Sequence, residues 1–90
     1  MSEVSRTVEV TNKRGLHARA SAKFVTLAAQ QSANVEVEKD GNRVCGTSIM
    51  GLMMLGAACG DRITISAQGD GAEEAVAALA ELVEAKFGEE

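Results

Sequence analysis

The chain has 90 residues, 46% of them hydrophobic and 24% charged, and a formal net charge of −4. This balance suits one modest folded core and argues against disorder and against broad binding of nucleic acid. Phe24 and Phe87 are the only aromatic side chains, so a platform for stacking bases is missing as well.

Residues 6–11 alternate, with Val8 and Val10 against Thr7, Glu9 and Thr11, and predict a half-buried strand. A loop carrying Lys13, Arg14 and Gly15 then enters a segment in which Leu16, Ala20, Phe24 and Leu27 recur at helical spacing. This predicts a helix over 18–31 that buries Ala20, Phe24, Leu27 and Ala28. Residues 34–39 alternate again, Val35 and Val37 against Glu36 and Glu38. Asp40-Gly41 supplies the positive φ of a tight hairpin turn, and residues 43–45 return as a short third strand.

Ser48 is a good N-cap and Gly56 a good stop for a short helix. Ile49, Met50, Leu52, Met53, Met54 and Leu55 are too many apolar side chains for one of its faces. Leu52 and Leu55 are assigned to the core. Ile49, Met50 and Met53 are assigned to an exposed docking patch, where unbranched methionine adapts to more than one partner.

Residues 61–68 form the clearest strand, with Ile63, Ile65 and Ala67 inside and Arg62, Thr64, Ser66 and Gln68 outside. After Gly69-Asp70-Gly71, a helix is predicted over 72–87 with Ala72, Val76, Leu79 and Val83 as its apolar stripe and Gly88 as its end. Glu81, Glu84, Glu89 and Glu90 read as a solvated face and tail. The order βαββαβα predicts an α+β fold, a four-stranded sheet covered on one face by helices. No run is long enough for a membrane-spanning helix, and the polar start Met1-Ser2-Glu3-Val4-Ser5-Arg6 lacks the features of a secretory signal. A cytoplasmic monomer with one domain over residues 1–90 is expected. Cys45 and Cys59 are expected to be free, small, hydrophobic and reduced, and neither they nor the single histidine make a metal set.

Chemistry concentrates in Asn12-Lys13-Arg14-Gly15-Leu16-His17-Ala18-Arg19-Ala20-Ser21, which sets the only histidine where a loop becomes a helix. The first amides of a helix have no intrahelical acceptor and the macrodipole is positive there, so anions are favoured. Arg19 has a planar fork of donors suited to phosphate, and Arg14 approaches from the loop. A lone histidine at a helix end is ordinarily a capping residue. Two guanidiniums within three positions and a glycine that permits close backbone approach favour a phosphate-handling role instead.

The pair of motifs Gly15-Leu16-His17-Ala18-Arg19 and Ser48-Ile49-Met50-Gly51-Leu52-Met53 resembles HPr, the histidine-containing phosphocarrier family of the bacterial phosphotransferase system. The resemblance spans nearly the whole chain. It implies an open-faced β-sandwich with an antiparallel sheet in the order 1-4-2-3. It also implies that His17 receives a phosphoryl group on Nδ1 from enzyme I, charged by phosphoenolpyruvate, and passes it to enzyme IIA domains. Arg19 matches the family's phosphate-side arginine, and Ser48 the serine that an HPr kinase/phosphorylase modifies in many relatives. Docking is expected on Leu16, Ala22, Ile49, Met50 and Met53.

One departure stands out: Ala20 replaces the proline usual after the motif arginine, which hints at a regulatory, nitrogen-related branch acting through partner binding. The resemblance implies a carrier with no cofactor of its own and no metal, not an enzyme. A rival from another class is a small non-catalytic interaction domain in which His17 only caps a helix. A stand-alone hydrolase or transferase would need a second acid or base beside His17, for which the sequence leaves Asp70 and Glu36 open.

Overall fold

The computed structural model describes residues 3–89, and in that stretch the alternating segments become strands and the helically periodic ones helices. The elements are β1 (Val4–Glu9), α1 (Ala18–Ala29), β2 (Asn34–Lys39), β3 (Asn42–Cys45), α2 (Ile49–Met54), β4 (Arg62–Gln68) and α3 (Ala72–Glu84). Met1, Ser2 and Glu90, part of the expected polar start and solvated tail, lie outside the described residues. The four strands form one sheet in the order β1-β4-β2-β3, each neighbouring pair antiparallel. This is the fold and strand order that the family resemblance implies.

Register follows from burying one face. Val8 lies opposite Ile63, Val35 opposite Ala67 and Val37 opposite Ile65, so the β-branched side chains point together beneath the helices. The β2–β3 hairpin closes on Asp40 and Gly41 at φ 53° and 84°, and Lys39 pairs with Asn42 on either side. Two consecutive positive φ values make the two-residue turn whose twist matches that of the strands.

α3 packs against β1 and β4, and α1 against α2 and α3, enclosing a core in which Phe24, Leu52, Ile63, Ile65, Leu79, Val83 and Phe87 are all at 1% exposure or less. Leu27, expected in that core, is half-buried against it.

Several boundaries differ from expectation. β1 starts at Val4 and stops at Glu9 because pairing with β4 recruits Val4 and Ser5, whose own pattern is weak. Val10 leaves the strand but stays tied to the loop before β4: its N–H donates to Asp61 O and its carbonyl accepts from Gly60. α1 ends at Ala29, with Gln30 as its C-cap. Ser66, placed outside, is indeed on the uncovered face yet only 2% exposed, since β4 is a central strand flanked there by Ser5 and Glu36. Cys45 and Cys59 are free but exposed instead of packed like small hydrophobes. Thr47 bonding holds the Cys45 thiol below its ordinary pKa.

The largest correction is at the end of α3. The helix stops at Glu84, and Lys86 and Phe87 then adopt left-handed φ of 58° and 56° in a short 3-10 turn, Lys86–Gly88. This reversal drives Phe87 into the core at 1% exposure, and its carbonyl accepts from Lys23 Nζ at 2.7 Å. Two left-handed non-glycine residues are costly; burial of a large aromatic and a bond to a charged donor offset that cost.

Candidate functional site

His17 is the N-cap of α1. Its backbone is extended at φ −73° and ψ 179°, and its carbonyl accepts the first intrahelical bond from Ser21 N–H at 2.9 Å. Its Nδ1 accepts from Arg19 N–H at 3.2 Å. The ring therefore does what Ser, Thr, Asp or Asn usually does at this place, satisfying an amide that the helix leaves unpaired. A ring nitrogen that accepts carries no proton, so Nδ1 presents its lone pair to the positive end of the helix.

The loop before it is fixed by Gly15. This residue has φ +62°, and a Cβ built there would stand 2.3 Å from the carbonyl oxygen of Ala57. Leu16 N–H donates to that same oxygen at 3.0 Å, so the loop lies clamped on the segment before β4. Leu16 is consequently a core residue at 5% exposure, which corrects its assignment to the docking surface. Adjacency to His17 is no guide to exposure where the chain turns inward.

The other expected site residues fall as follows. Arg14 and Arg19 are exposed, and neither guanidinium makes a hydrogen bond or ion pair among the described residues; what Arg19 gives His17 in this structure is its backbone N–H. Ala20 is the third residue of α1, among the first-turn positions whose N–H has no intrahelical acceptor, so alanine and proline are both compatible with it. Ala22 is half-buried on α1. Ser48 caps α2, its Oγ accepting from Gly51 N–H at 2.9 Å. Leu52 and Leu55 are buried, whereas Ile49, Met50 and Met53 are exposed at 41%, 72% and 43%. Met54, left unassigned by the sequence, is the most exposed of the group at 80%. Glu36 is engaged by Arg43 at 3.0 Å on the sheet, and Asp70 is in the turn before α3.

The acid beside His17 is a different one. Nε2 of the ring and Oε2 of Glu89 are 2.5 Å apart, although the two residues are separated by 72 positions. The other carboxylate oxygen, Oε1, accepts from Asn12 Nδ2 at 3.0 Å, and Asn12 also donates to the Gly15 carbonyl at 2.8 Å. Asn12 is fully buried. Its amide first, then the bond to His17 and the charges of His17 and Lys23, hold the Glu89 carboxyl below its ordinary pKa against the opposing effect of desolvation. Glu89 is thus not part of a solvated tail. Asn12 had a readable local signal, an amide three residues before a left-handed glycine. Glu89 had none, because its approach depends on the reversal at Lys86 and Phe87.

Comparison with known proteins gives these features a class. The family described as PTS HPr component phosphorylation site, a family of phosphocarriers, matches residues 4–85, a span that holds all four strands and the His17 cap. The phosphocarrier protein HPr of Neisseria meningitidis is 48% identical over 86 residues, covering 96% of this chain and 97% of its own. A solved HPr structure from Thermoanaerobacter tengcongensis superposes with a TM-score of 0.90 at 51% identity, covering 100% of this chain and 99% of its own. The phosphocarrier protein NPr of Shewanella violacea is 37% identical over 89 residues, covering 99% of this chain and 98% of its own. The chain belongs to the HPr family of the phosphotransferase system.

Proposed function

We propose that this protein, working as one cytoplasmic domain over residues 1–90, accepts a phosphoryl group from phospho-enzyme I on Nδ1 of His17 and passes it to enzyme IIA proteins. The observation that carries the proposal is that Nδ1 accepts the Arg19 N–H at the N-terminus of α1. In the forward step the Nδ1 lone pair forms an N–P bond while phosphorus separates from the donor, whose leaving atom takes the electron pair. Arg19 N–H, which bonds Nδ1 beforehand, is then available to a phosphoryl oxygen, and the exposed Arg19 guanidinium has room to swing to the same group. Arg14 serves as a further cation on the loop.

A carrier must release what it binds. A surface helix terminus stabilises a neighbouring charge by about 0.3–1 kcal/mol per interaction, enough to orient a phosphoryl group without trapping it. The protein is a transiently phosphorylated carrier and not an enzyme, each partner bringing its own catalytic groups. Partners dock as a monomeric carrier presents Ala22, Ile49, Met50 and Met53, of which the α2 residues are exposed apolar side chains beside the Ser48 cap. Phosphate on Ser48, placed there by an HPr kinase/phosphorylase, adds a charge of about −1.5 to −2 that would be desolvated against an apolar interface, so it opposes docking.

The test is incubation with phosphoenolpyruvate and enzyme I. An acid-labile phosphate should appear on the wild type and be absent from His17→Ala; a stable or undiminished phosphate in the variant would overturn the assignment. A second reading, service in a regulatory nitrogen-related branch, is favoured by the NPr relative and by Ala20. Comparing transfer rates to sugar-type and nitrogen-type enzyme IIA acceptors separates the two branches.

A further inference from the structure

The imidazole of His17 is constrained at both nitrogens. Nδ1 accepts from Arg19 N–H, and Nε2 faces a carboxylate oxygen, which can only accept while ionised. One arrangement satisfies both contacts: the proton on Nε2 and the lone pair on Nδ1. Glu89 is itself built in. Asn12, fully buried, donates to its Oε1, and the Phe87 anchor with the Lys23 bond holds the backbone that delivers it. The side chains of His17 and Glu89 are 16% and 20% exposed, so the contact is partly shielded from water.

We propose that Glu89 is a positioning residue for phosphoryl transfer: its carboxylate keeps the ring proton of His17 on Nε2 and so keeps Nδ1 free to attack. The inference rests on the relay function proposed above. As the N–P bond forms, the ring retains its Nε2 proton and gains positive charge, which faces the Glu89 anion across the existing hydrogen bond. When an acceptor attacks phosphorus, the N–P pair returns to Nδ1 and the ring charge is extinguished. No proton enters or leaves His17 in either direction, so the carrier needs no acid or base of its own. Asn12 acts through Glu89 by fixing where the carboxylate points.

The experiment reads the ring before any chemistry. In the full chain labelled with 15N, at a pH where His17 is neutral, the ring-nitrogen shifts give the ratio of the Nε2–H to the Nδ1–H tautomer. Nε2–H should dominate in wild type. In Glu89→Ala the ratio should fall by about tenfold, the lower end of what a charge-assisted hydrogen bond contributes. In Glu89→Gln the amide oxygen still accepts from Nε2–H, so most of the preference should return. Phosphoryl uptake from phospho-enzyme I should follow the same order, slowest in Glu89→Ala.

An unchanged ratio in Glu89→Ala, an unprotonated Nε2 in the wild type, or undiminished uptake by Glu89→Ala overturns the role of Glu89. The relay function fails separately: wild type that takes no phosphate sinks it, whatever the tautomer ratio shows.

Discussion

Replacing Gly15 with alanine imposes two costs that the fold allows to be measured apart. The left-handed φ of +62° costs an L-side chain about 1–2 kcal/mol. The added Cβ would also meet the Ala57 oxygen at 2.3 Å and the Ala58 Cα at 2.9 Å, both backbone atoms that cannot swing aside. Overpacking of this kind adds about 1–3 kcal/mol. Displacing the carbonyl that receives Leu16 N–H removes a bond worth about 1 kcal/mol. The expected loss is about 3–6 kcal/mol in all. Gly41 is the internal control: its φ is +84° but nothing lies within 4 Å of where a Cβ would stand, so Gly41→Ala should cost the conformational part alone, about 1–2 kcal/mol. Urea unfolding followed by circular dichroism, with equal slopes for all three proteins, gives both values. A domain of 90 residues has about 5–13 kcal/mol in hand, so Gly15→Ala should remove a large share of it and move the urea midpoint well below that of Gly41→Ala. If it is no less stable than Gly41→Ala, the loop is not clamped on the 57–58 segment and the account of how His17 is positioned is wrong.

Ser48→Asp should leave stability within about 0.5 kcal/mol, since Asp caps helices as well as Ser does, while binding to enzyme I measured by titration calorimetry weakens; equal affinity would contradict the docking surface. Met50→Glu, at a side chain 72% exposed, should also change unfolding free energy by no more than about 0.5 kcal/mol yet slow phosphoryl transfer, and a transfer rate equal to wild type would remove Met50 from the interface. For Glu89 the direction of the pH effect follows from its lowered pKa. Its contact with Asn12, His17 and Lys23 contributes stability that is present above its ordinary value of 4.5 and is lost as pH falls through the lower folded value. The stability difference between wild type and Glu89→Gln, followed by thermal melts across that range, should therefore shrink towards acid pH; a difference that grows would refute the pairing.

What could be read from the sequence was what neighbours in the chain decide. Alternation at Val35 and Val37, two positive φ values at Asp40-Gly41 and a Ser48 cap facing the Gly51 amide all express local preferences, and each appears in the structure. The position of His17 at the start of a helix belongs with them. Leu16 was misassigned because its place beside His17 outweighed its spacing with Ala20 and Phe24, and the turn at Gly15 that sets its N–H against Ala57 leaves no mark in the sequence pattern. The 3-10 turn after α3 failed for a related reason. Lys86 and Phe87 take a conformation that neither residue prefers, and only the site waiting for Phe87 in the core selects it.

The His17–Glu89 contact has a consequence for biosynthesis. A ribosome makes the histidine early and its carboxylate partner 72 residues later, so a nascent chain cannot assemble the finished ring environment while Glu89 is untranslated or still in the exit tunnel. Enzyme I meeting a chain that lacks Glu89 would find a histidine whose Nε2 faces no carboxylate, and on the proposal above such a chain should take up phosphate more slowly than the folded protein.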